Sequence, residues 1–254
     1  MRRENDTAHR RTLQLPRVIE TIDRLERRIG ERFPDASLLG VAQDLGQLAR
    51  ETSAHVEWLG RPHYPLRVVS GLLIVLMIIP LVLSLVWLKF ERLTTGLAFV
   101  EFLPLLAAGL GAIFFLGAIV LFLSSIETRI KRARALRSIH ELRALAHVVD
   151  MHQLTKDPER VLHPGTDTAS SPKRSMTPFE LGRYCDYCSE ILALLAKLAM
   201  FYAQTITDPV ILQAVDEIEG LTSGLSRNVW QKIMIIDRQI GESQIGESQV
   251  GESK

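Results

Sequence analysis

Residues 102–126 read FLPLLAAGLGAIFFLGAIVLFLSSI, and residues 68–88 read VVSGLLIVLMIIPLVLSLVWL. Neither stretch contains Asp, Glu, Lys, Arg or His, and 19 of 25 and 17 of 21 positions respectively are hydrophobic. A helix rises about 1.5 Å per residue and the hydrocarbon core of a bilayer is about 30 Å thick, so each run is long enough to cross a membrane. Pro80 and Pro104 are tolerable in such helices, where neighbouring helices re-satisfy freed backbone groups. The sequence therefore reads as an all-α membrane protein with two transmembrane helices, 68–88 and 102–126.

The remainder of the chain has a different character. Over 254 residues it is 47% hydrophobic, with 30 Lys+Arg against 29 Asp+Glu. Outside the two runs the hydrophobic share falls to about 40%, ordinary for a soluble region. A net charge of +1 supplies no large phosphate-facing field, so no nucleic-acid partner is expected. Two cysteines exclude a disulfide scaffold.

The flanking charges set the orientation. Arg61 and Arg67 precede the first run, while Arg129, Lys131, Arg132, Arg134 and Arg137 follow the second. The connecting loop, 89–101, holds Lys89 and Arg92 offset by Glu91 and Glu101. The positive-inside bias places both termini in the cytoplasm and leaves a short external loop. Trp87 at one end of the first run, with Trp58 and Tyr64 before the other, occupies positions that interfacial aromatics favour. The first apolar run begins only at residue 68, after an Arg-rich segment, so no cleavable signal is expected. An excess of 23 Arg over 7 Lys suggests a GC-rich bacterial source, and the expected location is the bacterial inner membrane. The lipid bilayer is the first expected partner, with the five-residue basic cluster fixing topology within reach of anionic headgroups.

In the second run Ala107 and Gly111 stand four apart, as do Ala108 and Ala112, with Gly117 and Ala118 further along. Small residues at this spacing let helices approach closely. Packing between the two spans is the first expectation and contact between protomers the second. The first run is bulky throughout and reads as the lipid-facing member.

Residues 1–15 are polar, Arg-rich and without periodicity, and are expected to fray. Residues 16–60 form a cytosolic helical hairpin: Val18, Ile22, Leu25, Ile29 and Phe33 make one stripe, and Leu38, Val41, Leu45, Leu48, Thr52, Val56 and Leu59 the other, with Asp35 available to cap the second helix. These heptad-like stripes motivate coiled-coil packing and a homo-oligomer. Residues 127–155 carry the second span onward as a membrane-proximal helix, with Leu142, Leu145, Ala146 and Val149 on one face and His140, Arg143, His147 and Asp150 on another. Residues 156–176, rich in Asp, Pro, Gly, Ser and Thr, form a linker. Thr177, Pro178 and Glu180 then make a capping box that opens a C-terminal cytosolic helical bundle over 177–240. Its first helix is apolar on several faces. A short acidic helix from Pro209, a break bracketed by Gly220 and Gly224, and a last helix capped by Ser226 and carrying Val229, Trp230, Ile233, Ile236 and Ile240 complete it. Residues 241–254, within the repeats that begin at Ile240, Ile245 and Val250, are expected to be a disordered tail.

Little catalytic chemistry is legible. Cys185 and Cys188 form a C-x-x-C inside a helical pattern, so both thiols face one way among apolar neighbours and read as core; a metal half-site is the alternative. His140 and His147 are seven apart, about two helical turns, too far for one zinc, and Arg143 lies between them. The sequence has no P-loop, G-x-G-x-x-G, H-E-x-x-H or G-x-S-x-G motif and no strand pattern, so neither enzymatic activity nor a cofactor is expected. The function expected is that of a two-pass, membrane-anchored, non-enzymatic helical protein that self-associates and presents a cytosolic interaction surface to an unidentified protein partner. The alternative is an oligomeric channel or pore-forming membrane effector.

Overall fold

A computed structural model describes residues 13–60, 68–69, 71–76, 78–80, 82–83, 86, 99–154, 156, 158 and 176–251; from 241 onward it describes the backbone alone. Residues 1–12 of the stretch expected to fray, the flanking Arg61, Tyr64, Arg67 and Trp87, residues 89–98 of the expected loop and 159–175 of the expected linker lie outside the described residues; Leu13 and Leu15, also expected to fray, pack against the core. The described chain is all-helical, with no strand. It runs α1 (Leu15–Arg32), α2 (Ser37–Gly60), α3 (Phe99–Leu154), α4 (Pro178–Thr205) and α5 (Pro209–Gly251). Two compact units result: residues 1–60 with 135–254, and residues 61–134.

The first unit is a helical bundle. In α1 the buried positions Val18, Ile22, Leu25 and Ile29 recur at steps of four, three and four, the signature of one apolar stripe. The helix starts without a side-chain cap, but Pro16 in its first turn fits a position whose N–H would be unpaired anyway. Phe33 ends it, its N–H bonding Ile29 O at 2.7 Å. After a three-residue turn α2 buries Leu38, Val41, Ala42, Leu45, Ala49 and Leu59. The C-terminal turns of α3 add Ala135, Ile139, Leu142, Ala146 and Val149 to the same core. Helix α4 is buried on most of its circumference, including Tyr184, Ile191, Leu195 and Tyr202, and packs against α1, α2 and most extensively α5. It is the central helix of the bundle.

Helix α5 departs from the sequence expectation. A short acidic helix, a break near Gly220 and Gly224, a restart at Ser226 and a disordered tail were the pattern expected, whereas the backbone is one helix of 43 residues ending at Gly251. For the part up to Ile240 the physical reason lies in its buried stripe. Ile211, Val215, Ile218, Thr222, Val229 and Ile236 are all buried, with half-buried Leu225, Ile233 and Ile240 filling the intervals. That stripe passes through both glycines without a phase change, so its burial outweighs a cost of about 1 kcal/mol per helical glycine. Neither glycine has the positive φ of a helix stop, and no proline follows Pro209 to end the helix. Asp208 caps the start, accepting hydrogen bonds from Val210 N at 2.9 Å and Ile211 N at 3.4 Å.

Among its described residues the second unit contributes no side chain to a buried core. Among the described residues one helix is long and apolar enough to cross a membrane, the stretch beginning at Ala107; Gly71–Pro80 is apolar but shorter. Of the two spans expected from the sequence, the described residues offer one candidate, by length and composition.

Candidate functional site

The apolar part of α3 presents bulky side chains outward. Leu110, Phe114, Phe115, Leu121 and Phe122 are 61–74% exposed, and no residue of the most apolar window is buried. Within the first run Leu72, Leu76 and Leu83 are exposed to a similar degree. Ala107, Ala108, Gly117 and Ala118 are exposed and Gly111 and Ala112 half-buried. A Cβ placed on Gly111 or Gly117 would meet nothing within 4 Å. Among the described residues nothing packs directly on Gly111 or Gly117; much of the first run, the partner expected from the sequence, lies outside the described residues.

The basic cluster following this stretch is differentiated. Arg129, Arg134 and Arg137 are exposed, while Lys131 and Arg132 are half-buried. Lys131 pairs with Glu127 at 3.0 Å, one turn back, and Arg132 and Arg134 also have partners. Further along, Arg143 reaches across to Glu217 of α5 at 2.6 Å and holds that carboxyl below its usual range. His140 and His147 are exposed. Among the described residues no three His, Cys, Asp or Glu side chains are placed to hold a metal ion.

Cys185 and Cys188 are free thiols buried in the core. Burial pushes Cys185 up to about 11 and raises Cys188 as well, so both stay protonated at neutral pH and are poor nucleophiles and poor metal ligands. Thr177 begins α4 with a capping box: its hydroxyl accepts from Glu180 N at 3.2 Å, and its N–H and hydroxyl donate to the Glu180 carboxylate at 2.8 and 3.0 Å. Those bonds from Thr177 lower the Glu180 carboxyl.

Two surface concavities on the bundle were not visible in the sequence. The larger, about 800 Å³, is an open groove lined by α1, α4 and α5. Arg28 forms a forked pair with Glu190 at 2.9 and 3.0 Å, which raises the guanidinium pKa further, and Arg183 pairs with Asp186 at 2.7 Å. Both guanidinium groups stack over Tyr187, at 5.2 and 5.3 Å. Arg227 and Trp230 line the same groove, and Trp230 is 58% exposed. The sequence reading listed Trp230 beside Val229 among the apolar positions of the last helix; the helix turns Val229 inward and leaves the indole outside.

The second concavity, about 560 Å³, sits at the α1–α2 turn and the start of α4. Ser37, the first residue of α2, lies 3.1 Å from His152 Nδ1. Asp35 does not cap α2 as expected from the sequence; it makes no hydrogen bond among the described residues. Tyr184 lines the pocket, its ring edge-on to Phe33 at 6.0 Å with the Lys156 ammonium 5.5 Å from its centre. Among the described residues its hydroxyl is buried without a hydrogen-bond partner, as is Gln153 Nε2 on α3. An orphaned buried polar atom costs about 1–3 kcal/mol. Comparison with protein-family models, curated proteins and solved structures finds no match to this chain.

Proposed function

We propose that this chain is a two-pass, membrane-anchored, non-enzymatic helical protein of a bacterial inner membrane, with both ends in the cytoplasm, that self-associates and presents its bundle as an interaction surface. The observation that carries the reading is the contrast between the two units. One buries its apolar stripes in a core, whereas the other carries Phe114, Phe115, Leu121 and Phe122 largely exposed on a helix long enough to span a bilayer. Lipid is the solvent in which such a surface is stable. Self-association is supported by the open face at Ala107, Gly111 and Ala118, since small residues admit a second helix at close range. The groove supports a role in protein contact: exposed Trp230 beside Arg227 and Arg183 is the residue chemistry on which interface energy concentrates.

Fractionation of cells expressing the full chain tests the anchor. The protein is expected to stay with membranes after alkaline carbonate extraction, and release into the supernatant would overturn the reading. Gly111→Cys in a Cys185→Ser/Cys188→Ser background is expected to form disulfide-linked dimers in native membranes; only monomer would remove self-association. Ion flux through proteoliposomes would favour the pore-forming alternative.

A further inference from the structure

The pocket at the α1–α2 turn gathers hydrogen-bond donors, several of which have no acceptor among the described residues. Four N–H groups at a helix start have no partner within the helix, and here neither the Ser37 nor the Leu38 amide forms a hydrogen bond among the described residues. The positive end of the 24-residue α2 therefore opens where Ser37 lines the pocket. A second, independent observation points the same way: Tyr184 is 1% exposed, lines this pocket, and its hydroxyl, close to Ser37, makes no hydrogen bond of good geometry among the described residues. Burial raises its pKa, outweighing the smaller lowering by the nearby Ser37 side chain, so the group is a neutral O–H donor. Lys156 and Arg32 add cationic donors, and neither forms an ion pair among the described residues, although Arg32 is near enough to help lower Glu180; their ring contacts are with Tyr184 and Phe179. With a proton on Nδ1, His152 donates to Ser37 and frees the serine hydroxyl proton to donate as well.

Two carboxylates share the pocket. Glu180 is occupied by the amide and hydroxyl of Thr177, and Asp35 is exposed at the turn, where water screens its charge. The deeper donors face no carboxylate at hydrogen-bond distance. Donors converging from a helix start, two hydroxyls and two side-chain cations suit a tetrahedral oxyanion better than a planar carboxylate.

We propose that this pocket binds a phosphate group, as inorganic phosphate, a phosphate monoester or an anionic lipid headgroup, through the Ser37 amide and hydroxyl, the Tyr184 hydroxyl, Lys156 and Arg32. The site is independent of the membrane reading, since it lies within the bundle. Full-length protein in phosphatidylcholine nanodiscs is titrated with inorganic phosphate, against chloride at matched ionic strength, and its unfolding midpoint followed. A parallel arm uses nanodiscs containing phosphatidic acid. A rise in midpoint with soluble phosphate identifies a free ligand, and a rise with phosphatidic acid alone identifies a headgroup. No rise in either arm overturns the proposal.

Tyr184→Phe keeps the ring and its contact with Phe33 while deleting one donor. The variant is expected to keep the wild-type midpoint in phosphate-free buffer and to bind the phosphate source about tenfold more weakly, as for loss of one hydrogen bond to a charged group. An unchanged affinity would overturn the proposal. So would a lower midpoint of the variant without phosphate, because the hydroxyl would then be satisfied by a structural water. Lys156→Met, on the pocket rim, is expected to weaken binding in the same direction while leaving the phosphate-free midpoint in place.

Discussion

Cys185 and Cys188 illustrate how burial decides chemistry at a single residue. Both thiols lie in the core and titrate above their ordinary value, Cys185 at about 11. Because the folded value is raised, the stability tied to the protonated thiol is fully present below the ordinary pKa of 9.0 and is lost as pH rises through 11. Native protein at pH 8 is therefore expected to resist a disulfide-exchange reagent, with both thiols reacting only across the denaturation transition; fast native labelling would contradict their placement. Glu180 shows the opposite sign. Its bonds from Thr177 depress the carboxyl, so the contribution of the capping box is present above the ordinary value of 4.5 and is lost as pH falls through the lowered one. Amide exchange in the first turn of α4 is expected to accelerate between pH 5 and 3 in wild type, after correction for intrinsic rates. Glu180→Gln, which keeps the reciprocal hydrogen bond without a charge, should flatten that change.

At the scale of elements, α5 is the informative case. Gly220 and Gly224 have helical backbone, and a Cβ on either meets nothing within 4 Å. Gly220→Ala and Gly224→Ala are each expected to stabilise the bundle by up to about 1 kcal/mol, read from chemical denaturation. A loss of stability would mean that the helix needs a break there after all. The stripe of α1 and the capping box of α4 were legible in the sequence because their signals are local: a period of three and four, or four consecutive residues. The continuity of α5 was less so, since two glycines are a local stop signal that only burial against α4 overrides. The groove and the turn pocket were not legible at all. Arg28 and Glu190 are 162 residues apart, and Ser37 and His152 115 apart, so their meeting depends on which helices pack together.

For the whole molecule, the division of apolar residues between a core and an exposed helix is what the membrane reading rests on. Phe114 is 73% exposed near the middle of the apolar stretch. On the membrane reading Phe114→Asp places a carboxylate near the bilayer centre, at a cost of about 2.5–3.5 kcal/mol on insertion scales. The variant is expected to shift measurably toward the carbonate-soluble fraction, whereas a surface substitution such as Arg227→Asp should leave fractionation unchanged. Equal behaviour of the two would argue that the stretch is covered by protein. Near-zero net charge, by contrast, told little, because it averages a net +4 over residues 127–143 with a net −4 over 207–254.

The bundle is assembled from two pieces of chain, residues 1–60 and 135–254, separated by the 74 residues that make up the other unit. Synthesis proceeds at about 5–20 residues per second, so on the order of ten seconds pass between completion of α2 and the emergence of α4. Throughout that interval the stripe of Ile22, Leu25 and Ile29 has only α2 to lean on, while the most apolar part of the chain leaves the ribosome. Biogenesis of this protein thus contains an obligatory wait: its first-made helices must stay soluble and uncommitted until the last-made ones arrive.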